Sequence, residues 1–185
     1  MGKRSNFERK GRDYYPTPLK PVQTLVPFLP QERFTFWEPC AGDGRLITHL
    51  QTTTSGVPTF ACDIEPQESD WNILRLDVLS QDDNLWEYNR DVNRPDYIIT
   101  NPPWNVKLLH PMIDKFRGVA PTWLLFYADW AHTKRAAPYL EYCSDIVPVG
   151  RVKWIEDSPH SGKDNTAWYC FHAEKKATIF HPNVA

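Results

Sequence analysis

The residues best suited to chemistry in this sequence lie in the stretch DYIITNPPWN, residues 96–105. An apolar, strand-forming run leads there to Asn101, and Pro102, Pro103 and Trp104 follow directly. Because proline fixes φ and has no N–H, the backbone carbonyls of this segment are held rigidly and meet few competing donors. An amide, rigid carbonyl acceptors and an aromatic plane could together receive a planar group that bears an NH2. A proline-rich turn that ends a strand is the plain alternative.

A second candidate is the glycine-bearing turn in WEPCAGDGRLITHL, residues 37–50. Gly42 and Gly44 stand between a predicted strand and a predicted helix, where glycine lets a ligand approach the backbone and the helix N-terminus attracts polar groups. A nicotinamide-dinucleotide fingerprint would need a third glycine where Ile47 stands, and the sequence has no GxxxxGK[ST] phosphate loop. On its own the turn is a weak signal, because a tight strand-to-helix connection uses the same glycines.

Two acids follow later strands at spacings that suit the same site. Asp63 ends the strand-like run in ACDIE about twenty residues after the glycine turn, where a doubly wound fold holds ribose hydroxyls. Asp77 follows the short run LRL. Each acid alone is more often a turn residue or a helix cap. Their joint spacing with the glycine turn and with residues 101–104 favours a binding site.

The elements that must position these residues alternate between strands and helices. A helix is predicted after Pro18, with Thr17 as its candidate N-cap. Further helices are predicted over residues 45–51, 112–116 and 131–142, and strands over residues 33–38, 58–64, 72–79, 95–100, 122–129, 145–155 and 166–173. The last two strands have no helix between them, so we expect them to pair antiparallel. The pattern predicts an α/β fold with a doubly wound, mostly parallel, Rossmann-like sheet and an antiparallel edge strand.

The composition fits a single globular domain, with 41% hydrophobic and 24% charged residues. We expect residues 13–185 to form this domain. Residues 1–12 carry five basic residues against the single acid Glu8 and are expected to be a flexible arm, either a solvated tail or a phosphate-contacting segment. The formal net charge of −2 provides no general attraction to nucleic acid, although local clusters of basic residues still could.

The cysteines and the apolar runs exclude several classes of protein. Cys40, Cys62, Cys143 and Cys170 are far apart and form no CxxC pair, which favours reduced thiols over disulfides or a zinc site, so we predict no metal. No apolar run approaches the ~20 residues of a membrane helix, and the N-terminus lacks the apolar core of a signal peptide. We therefore expect no membrane partner and a cytoplasmic location.

Taken together, these motifs resemble those of class I S-adenosylmethionine-dependent methyltransferases, specifically the group that methylates the amino nitrogen of adenine in DNA. The likeness runs from about Tyr14 to Phe171 and comprises YPTP, EPCAGDG, ACDIE, LRLDVL and TNPPW, in the order in which the cofactor motif precedes the catalytic motif. NPPW after an apolar strand is the most specific element. The resemblance implies a methyltransferase with the Rossmann-like fold of that class and with S-adenosyl-L-methionine as its cofactor.

The resemblance also implies a set of cofactor-binding residues. Asp63 would hold the ribose hydroxyls and is preferred over Glu65 because it is the acid at the strand end. The other residues would surround the methionine, the ribose and the adenine of the cofactor: Tyr15, Thr17, Pro18, Glu38, Cys40, Ala41, Gly42, Gly44, Asp77 and Val78.

For the reaction, the resemblance implies that the catalytic residues are those of the NPPW motif. The Asn101 side-chain carbonyl and the Pro102 backbone carbonyl would accept both hydrogens of the target amino group, so that its lone pair faces the methyl group. Pro103 would keep the segment rigid, and Trp104 would stack on an extruded base. Trp104 stands where related motifs have tyrosine, so the tyrosine hydroxyl is missing.

The nature of the substrate stays open at this point. RNA adenine and the side-chain amide of protein glutamine present similar hydrogens, and a non-catalytic cofactor-binding protein is a further alternative. DNA, single-stranded or double-stranded, is the expected partner. The sequence has no room for the large target-recognition region of restriction-system methyltransferases, which leaves Trp154, His160, Lys163 and the arm to contact the substrate, or an unknown partner to provide specificity. In these respects the chain is similar to small stand-alone enzymes of phages and mobile elements, which act in a bacterial or phage-infected cell.

Overall fold

The computed structural model describes residues 14–80, 84–155 and 161–183, so the basic arm and His160 lie outside the described residues. Its helices are α1 (Leu19–Leu25), α2 (Arg45–Thr53), α3 (Asn84–Val92), α4 (Val106–Arg117) and α5 (Ala137–Leu140). Three short 3-10 helices cover Val26–Phe28, Ala128–His132 and Lys134–Ala136. The strands are β1 (Phe34–Glu38), β2 (Gly56–Asp63), β3 (Leu74–Arg75), β4 (Tyr97–Thr100), β5 (Thr122–Tyr127), β6 (Cys143–Arg151), β7 (Asn165–Phe171) and β8 (Ile179–Phe180).

The strands form one eight-stranded sheet in the order β3-β2-β1-β4-β5-β7-β6-β8. The five strands from β3 to β5 are parallel to one another. β7 pairs antiparallel with both β5 and β6, and β8 returns parallel to β6. The predicted α/β fold, with its mostly parallel sheet and late antiparallel pair, is confirmed.

The strand order places the candidate motifs at one point. From β1 the chain moves outward to β2 and β3 and then crosses back to β4 on the other side of β1. The carboxyl ends of β1 and β4 therefore flank the topological switch point, where doubly wound sheets bind their ligands. Glu38 ends β1 and Asn101 follows β4, so both motifs meet at this crevice.

Two apolar layers cover the sheet, one on each face. Neighbouring residues of a strand point to opposite faces, and Phe36 and Trp37 accordingly belong to different buried clusters. Helices α1 and α2 pack on the Phe36 side, and α3 and α4 on the Trp37 side. The two layers hold the carboxyl edge of the sheet in place.

Three local predictions need correction. The helix predicted over residues 131–142 is wrong: Thr133 is extended, with φ −92° and ψ 147°, and separates the 3-10 helix Ala128–His132 from the 3-10 helix Lys134–Ala136, which leads directly into the single turn of α5. Thr17 does not cap α1, because Pro18 occupies the N-cap position without a side-chain hydrogen bond. Helix α3 was not predicted, since Trp86 is buried on one side while other apolar residues of the helix, such as Tyr88, are exposed, which hides the helical period.

Candidate active site

A cavity of about 690 Å³ opens at the carboxyl ends of β1, β2 and β4. Nine of the predicted cofactor residues line it: Tyr15, Thr17, Glu38, Cys40, Ala41, Gly42, Asp63, Asp77 and Val78. Pro18 and Gly44 do not line it, and they instead begin helices α1 and α2. Asn101 and Pro103 line the same cavity, whereas Pro102 and Trp104 are next to them in sequence and are not among its lining residues.

The glycine turn needs glycine for a steric reason as well as a conformational one. Gly42 and Gly44 have φ of 54° and 76°, in the left-handed region that other residues avoid. A Cβ on Gly42 would lie 2.6 Å from the Tyr14 ring, and one on Gly44 would lie 2.4 Å from the Trp71 ring. The turn is therefore packed beneath two aromatic side chains, and Tyr14 is a cavity residue that the sequence analysis did not identify.

Asp63 joins the two loops that border the cavity. Its Oδ2 accepts a hydrogen bond from the Gly42 N–H at 2.9 Å, and its Oδ1 accepts one from the Glu65 N–H at 2.7 Å. Each carboxylate oxygen has a second lone pair, so both can also accept from a ligand hydroxyl. Glu65 lines the cavity as well, and the preference for Asp63 as the ribose ligand stays a prediction.

Glu38 is a buried carboxyl in the cavity wall, only 1% exposed. Its Oε2 has no hydrogen-bond partner among the described residues. Burial, followed by the negative charges of Asp63 and Asp43, raises the pKa of the Glu38 carboxyl well above its usual value. A positively charged ligand group beside Glu38 would offset this burial.

The chemistry of the whole wall fits S-adenosyl-L-methionine, which carries an ammonium, a sulfonium and two ribose hydroxyls. Carboxylates dominate the polar side chains of the cavity: Glu38, Asp43, Asp63, Glu65 and Asp77. Such acceptors suit a cation with hydroxyl groups and disfavour a phosphate-bearing nucleotide. The Cys40 thiol in the same wall is neutral, because burial and then the charge of Asp63 raise its pKa.

Asn101 is held on three sides by hydrogen bonds. Its Nδ2 donates to the Tyr15 backbone carbonyl at 3.2 Å and to the Thr17 hydroxyl at 3.3 Å. Its Oδ1 accepts from the indole Nε1–H of Trp104 at 3.3 Å, and the same N–H also donates to the Leu125 carbonyl at 3.2 Å. The side-chain amide at the cavity wall therefore has a defined orientation.

Four aromatic residues, Tyr15, Trp104, Tyr127 and Trp154, form what we call the aromatic cluster beside Asn101. The ring centroid of Trp104 lies 5.6 Å from that of Trp154 and 5.9 Å from that of Tyr127. The ring of Trp154 also lies 6.4 Å from that of Tyr15. Trp154 belongs to the β6–β7 connection, so this loop reaches back to the NPPW segment.

Tyr127 is the member of the cluster that the sequence analysis missed. The available signal was its position near the end of the strand predicted over residues 122–129, and in the structure it ends β5 at the same edge of the sheet as Asn101. Burial raises the pKa of the Tyr127 hydroxyl, and the neighbouring Arg135 charge opposes this shift. The hydroxyl is therefore neutral, and Arg135 lies close to the cluster.

Exposed cations lie at the same edge of the sheet as the aromatic cluster, on the segments that follow β4 and β5 and on the segment from the end of β6 to β7. We call these residues the basic face: Lys107, Lys134, Arg135, Arg151, Lys153 and Lys163. Apart from Lys163, they form no ion pair with any residue that the structure describes. By contrast, Arg90 and Arg117 each pair with neighbouring acids elsewhere on the surface. Lys107, Lys134, Arg135, Arg151 and Lys153 are thus available to an anionic partner.

The residues that the structure describes contain neither a candidate metal-binding group nor a helix able to span a membrane. Within residues 14–80, 84–155 and 161–183, no group of three or more His, Cys, Asp or Glu is arranged to hold a metal ion. Across the same ranges, every helix is too short or too polar to cross a bilayer.

The sequence matches no protein-family model and no curated protein, whereas the fold matches many solved structures. A protein assigned to the class I S-adenosylmethionine-dependent methyltransferases from Listeria monocytogenes superposes with a TM-score of 0.59 and 9% identity, over 95% of this chain and 68% of that one. A dimethyladenosine transferase from Plasmodium falciparum gives 0.52 and 12%, over 86% of this chain and 62% of that one.

A modification subunit assigned to a type I restriction enzyme from Vibrio vulnificus gives a TM-score of 0.53 and 12% identity, over 93% of this chain and 48% of that one. This chain thus spans less than two thirds of the length of some of these neighbours. At such low identities the comparisons show the fold, which is the Rossmann-like fold of S-adenosylmethionine-dependent methyltransferases.

Proposed function

We propose that this protein transfers a methyl group from S-adenosyl-L-methionine to the exocyclic amino nitrogen of adenine in DNA. The observation that carries the proposal is the Asn101 amide, which is fixed in orientation at the wall of an acid-lined cavity and lies beside the aromatic cluster. Fold alone does not select a substrate. The support comes from the chemistry of this site.

The cofactor would occupy the acidic side of the cavity. Glu38 would face a positive group of the methionine part, and Asp63 and Glu65 would accept from the ribose hydroxyls. Asp77 and Val78 would border the adenine ring. When bound, S-adenosyl-L-methionine supplies an electrophilic methyl group on its sulfonium.

The chain's contribution to the reaction would be orientation of the target amino group. An adenine amino nitrogen is a weak nucleophile because its lone pair is delocalised into the ring. Asn101 Oδ1 and the Pro102 carbonyl would each accept one of its hydrogens, which favours a pyramidal nitrogen with the lone pair directed at the methyl carbon. As the new C–N bond forms, the bond from the methyl carbon to sulfur would break with its electron pair left on sulfur; one hydrogen of the amino group then leaves to water as a proton, so the site needs no strong general base.

The basic face and the aromatic cluster support nucleic acid rather than protein glutamine as the substrate. Exposed cations attract phosphates, and aromatic rings stack on bases with about 1–3 kcal/mol for each base. Their combination is typical of proteins that hold single strands. Extruding a base from a duplex costs a few kcal/mol, so we expect unpaired or distorted sites to be at least as good as perfect duplex.

Sequence preference is expected to be weak unless a partner protein provides it. Trp154 is the predicted recognition residue that reaches the aromatic cluster. Lys163 is exposed on the same connection. An aromatic ring and a single cation suit contact with one base and its phosphate more than the recognition of several specific base pairs.

The test is to incubate the protein with tritiated S-adenosyl-L-methionine and, separately, single-stranded DNA, duplex DNA, RNA and protein extract. Each product is then digested and identified by mass. We expect label on the amino nitrogen of adenine in DNA. Label on RNA alone or on glutamine alone would contradict the DNA assignment, and an absence of label with every substrate, from folded and cofactor-bound protein, would contradict methyl transfer.

A further inference from the structure

We propose that Trp104 is a specificity-determining residue that makes the site select amino groups over oxo groups, because it acts with the Tyr15 carbonyl to oppose rotation of the Asn101 amide. The inference rests on the proposed function only in taking the bound group to be the exocyclic group of a base. It concerns what the site can bind, and binding can be measured without methyl transfer.

The two faces of the Asn101 amide meet groups of opposite and fixed character. A backbone carbonyl can only accept, so the Tyr15 carbonyl at 3.2 Å requires Nδ2 on its side. An indole N–H can only donate, so Trp104 Nε1 at 3.3 Å requires Oδ1 on its side. The Thr17 hydroxyl at 3.3 Å can do either and imposes nothing.

Rotation of the amide by half a turn would break both fixed contacts at once. The terminal torsion of asparagine is otherwise soft and has two nearly equivalent positions, so neighbours decide between them. After rotation Oδ1 would face a carbonyl and Nδ2 would face an N–H, which leaves two donors and two acceptors opposed. The amide therefore presents an acceptor, and only an acceptor, beside the indole.

The indole itself is anchored to the sheet. Its N–H is shared with the carbonyl of Leu125, a fully buried residue of β5, at 3.2 Å. Its ring packs against Tyr127 and Trp154. Trp104 cannot follow a rotating amide without losing these contacts.

Selectivity follows from the fixed acceptor. The amino group of adenine or cytosine can donate to Asn101 Oδ1, whereas the oxo group of hypoxanthine or uracil would place two acceptors together. A tyrosine at position 104 would remove one of the two fixed contacts, because its hydroxyl can donate or accept, and would leave the Tyr15 carbonyl alone to oppose rotation of the amide. The replacement of the tyrosine found in related motifs by tryptophan thus has a chemical consequence.

The experiment compares binding of oligodeoxythymidylates that carry one different base at the centre, with the demethylated cofactor product present. One pair carries adenine or hypoxanthine, and a second pair carries cytosine or uracil. Fluorescence anisotropy should show that the wild-type protein binds the amino member of at least one pair about tenfold more tightly or better, and that Trp104→Phe reduces this ratio to less than about threefold.

The matched control is Trp154→Phe, the same substitution in the same aromatic cluster at a ring without a contact to Asn101. It should weaken binding of both members of a pair and leave their ratio unchanged. If Trp104→Phe fails to unfold cooperatively or to bind the cofactor product, Trp104→Tyr replaces it, and its ratio is also expected to fall below the wild-type value.

An unchanged ratio in the folded Trp104 variant, or equal binding of both members by the wild-type protein, would overturn the inference. Methyl transfer measured on the same oligonucleotides separates this result from the proposed function. A protein that discriminates without transferring methyl keeps the Trp104 role and loses the methyltransferase assignment. A protein that transfers methyl with an unchanged Trp104→Phe ratio keeps the assignment and loses the Trp104 role.

Discussion

The two halves of the carboxyl edge of the sheet carry opposite charge. On the half formed by β1, β2 and β3, the loops are rich in acids: Asp43, Asp63, Glu65, Glu68, Asp70 and Asp77. The half formed by β4, β5, β7 and β6 carries the aromatic cluster and the basic face. One half suits a cationic cofactor and the other suits a polyanion, and Asn101 lies at the switch point between them. A formal net charge of −2 conceals this separation.

The residue at the boundary should give the largest effect. Asn101→Ala removes the proposed acceptor for the target amino group, and we expect methyl transfer to fall about 100- to 1,000-fold. Cofactor affinity, measured by calorimetry, should change little because the amide is proposed to contact only the substrate. Retention of more than about a tenth of wild-type turnover, a loss of less than ~1.4 kcal/mol, would remove amine orientation as the main source of catalysis.

The acidic half is best tested at Asp63. Asp63→Ala should weaken binding of S-adenosyl-L-methionine and of its demethylated product by at least about tenfold, because a ligand acceptor is lost and the Gly42 and Glu65 N–H groups lose their partner. Asp70→Ala is the matched control, since this exposed acid lies on the same half and does not line the cavity. Equal cofactor affinities for the two variants would show that the overall negative charge of this half, and not a specific contact with Asp63, holds the cofactor.

The basic half is best tested through the salt dependence of the affinity for DNA. Replacing both Arg151 and Lys153 by alanine should lower the slope of log affinity against log salt by about 1.4 on single-stranded DNA, since each lost phosphate contact removes about 0.7. The double variant Arg33→Ala/Lys176→Ala removes two exposed cations at the opposite edge of the sheet and should leave the slope unchanged. Identical slopes for the two double variants would deny the basic face its proposed role.

A smaller effect concerns the proton on the Glu38 carboxyl. Because the pKa of Glu38 is raised in the folded protein, the native state retains a proton above the ordinary value of 4.5, and native stability falls as pH rises through that window. A cationic ligand lowers this pKa, so its binding should release a proton and tighten by at most tenfold per pH unit. Calorimetry in two buffers of different ionisation enthalpy measures that proton. Glu38→Gln should abolish it, and proton release that persists in this variant would assign the proton elsewhere.

The sequence was sufficient to bring these residues to one edge of the sheet but not to describe their contacts. The glycine turn, Asp63 and Asn101 could be placed together because each follows a parallel strand, and the carboxyl ends of such strands share one edge. The bond between Asn101 and the Tyr15 carbonyl spans 86 positions and has no signature in residue type. The same is true of the indole bond from Trp104, since its direction depends on a rotamer.

The insertion of β7 between β5 and β6 bears on how the chain folds as it is synthesised. β5 is an almost wholly buried apolar strand, and its outer edge stays unpaired until residues 165–171 have left the ribosome. An open edge of this kind is a template for pairing with other chains. Nascent chains that stop before Asn165 should therefore aggregate. We also expect chaperones to bind the stretch from Thr122 to Tyr127 until β7 emerges, which can be measured by sequencing the messages on ribosomes isolated through a bound chaperone.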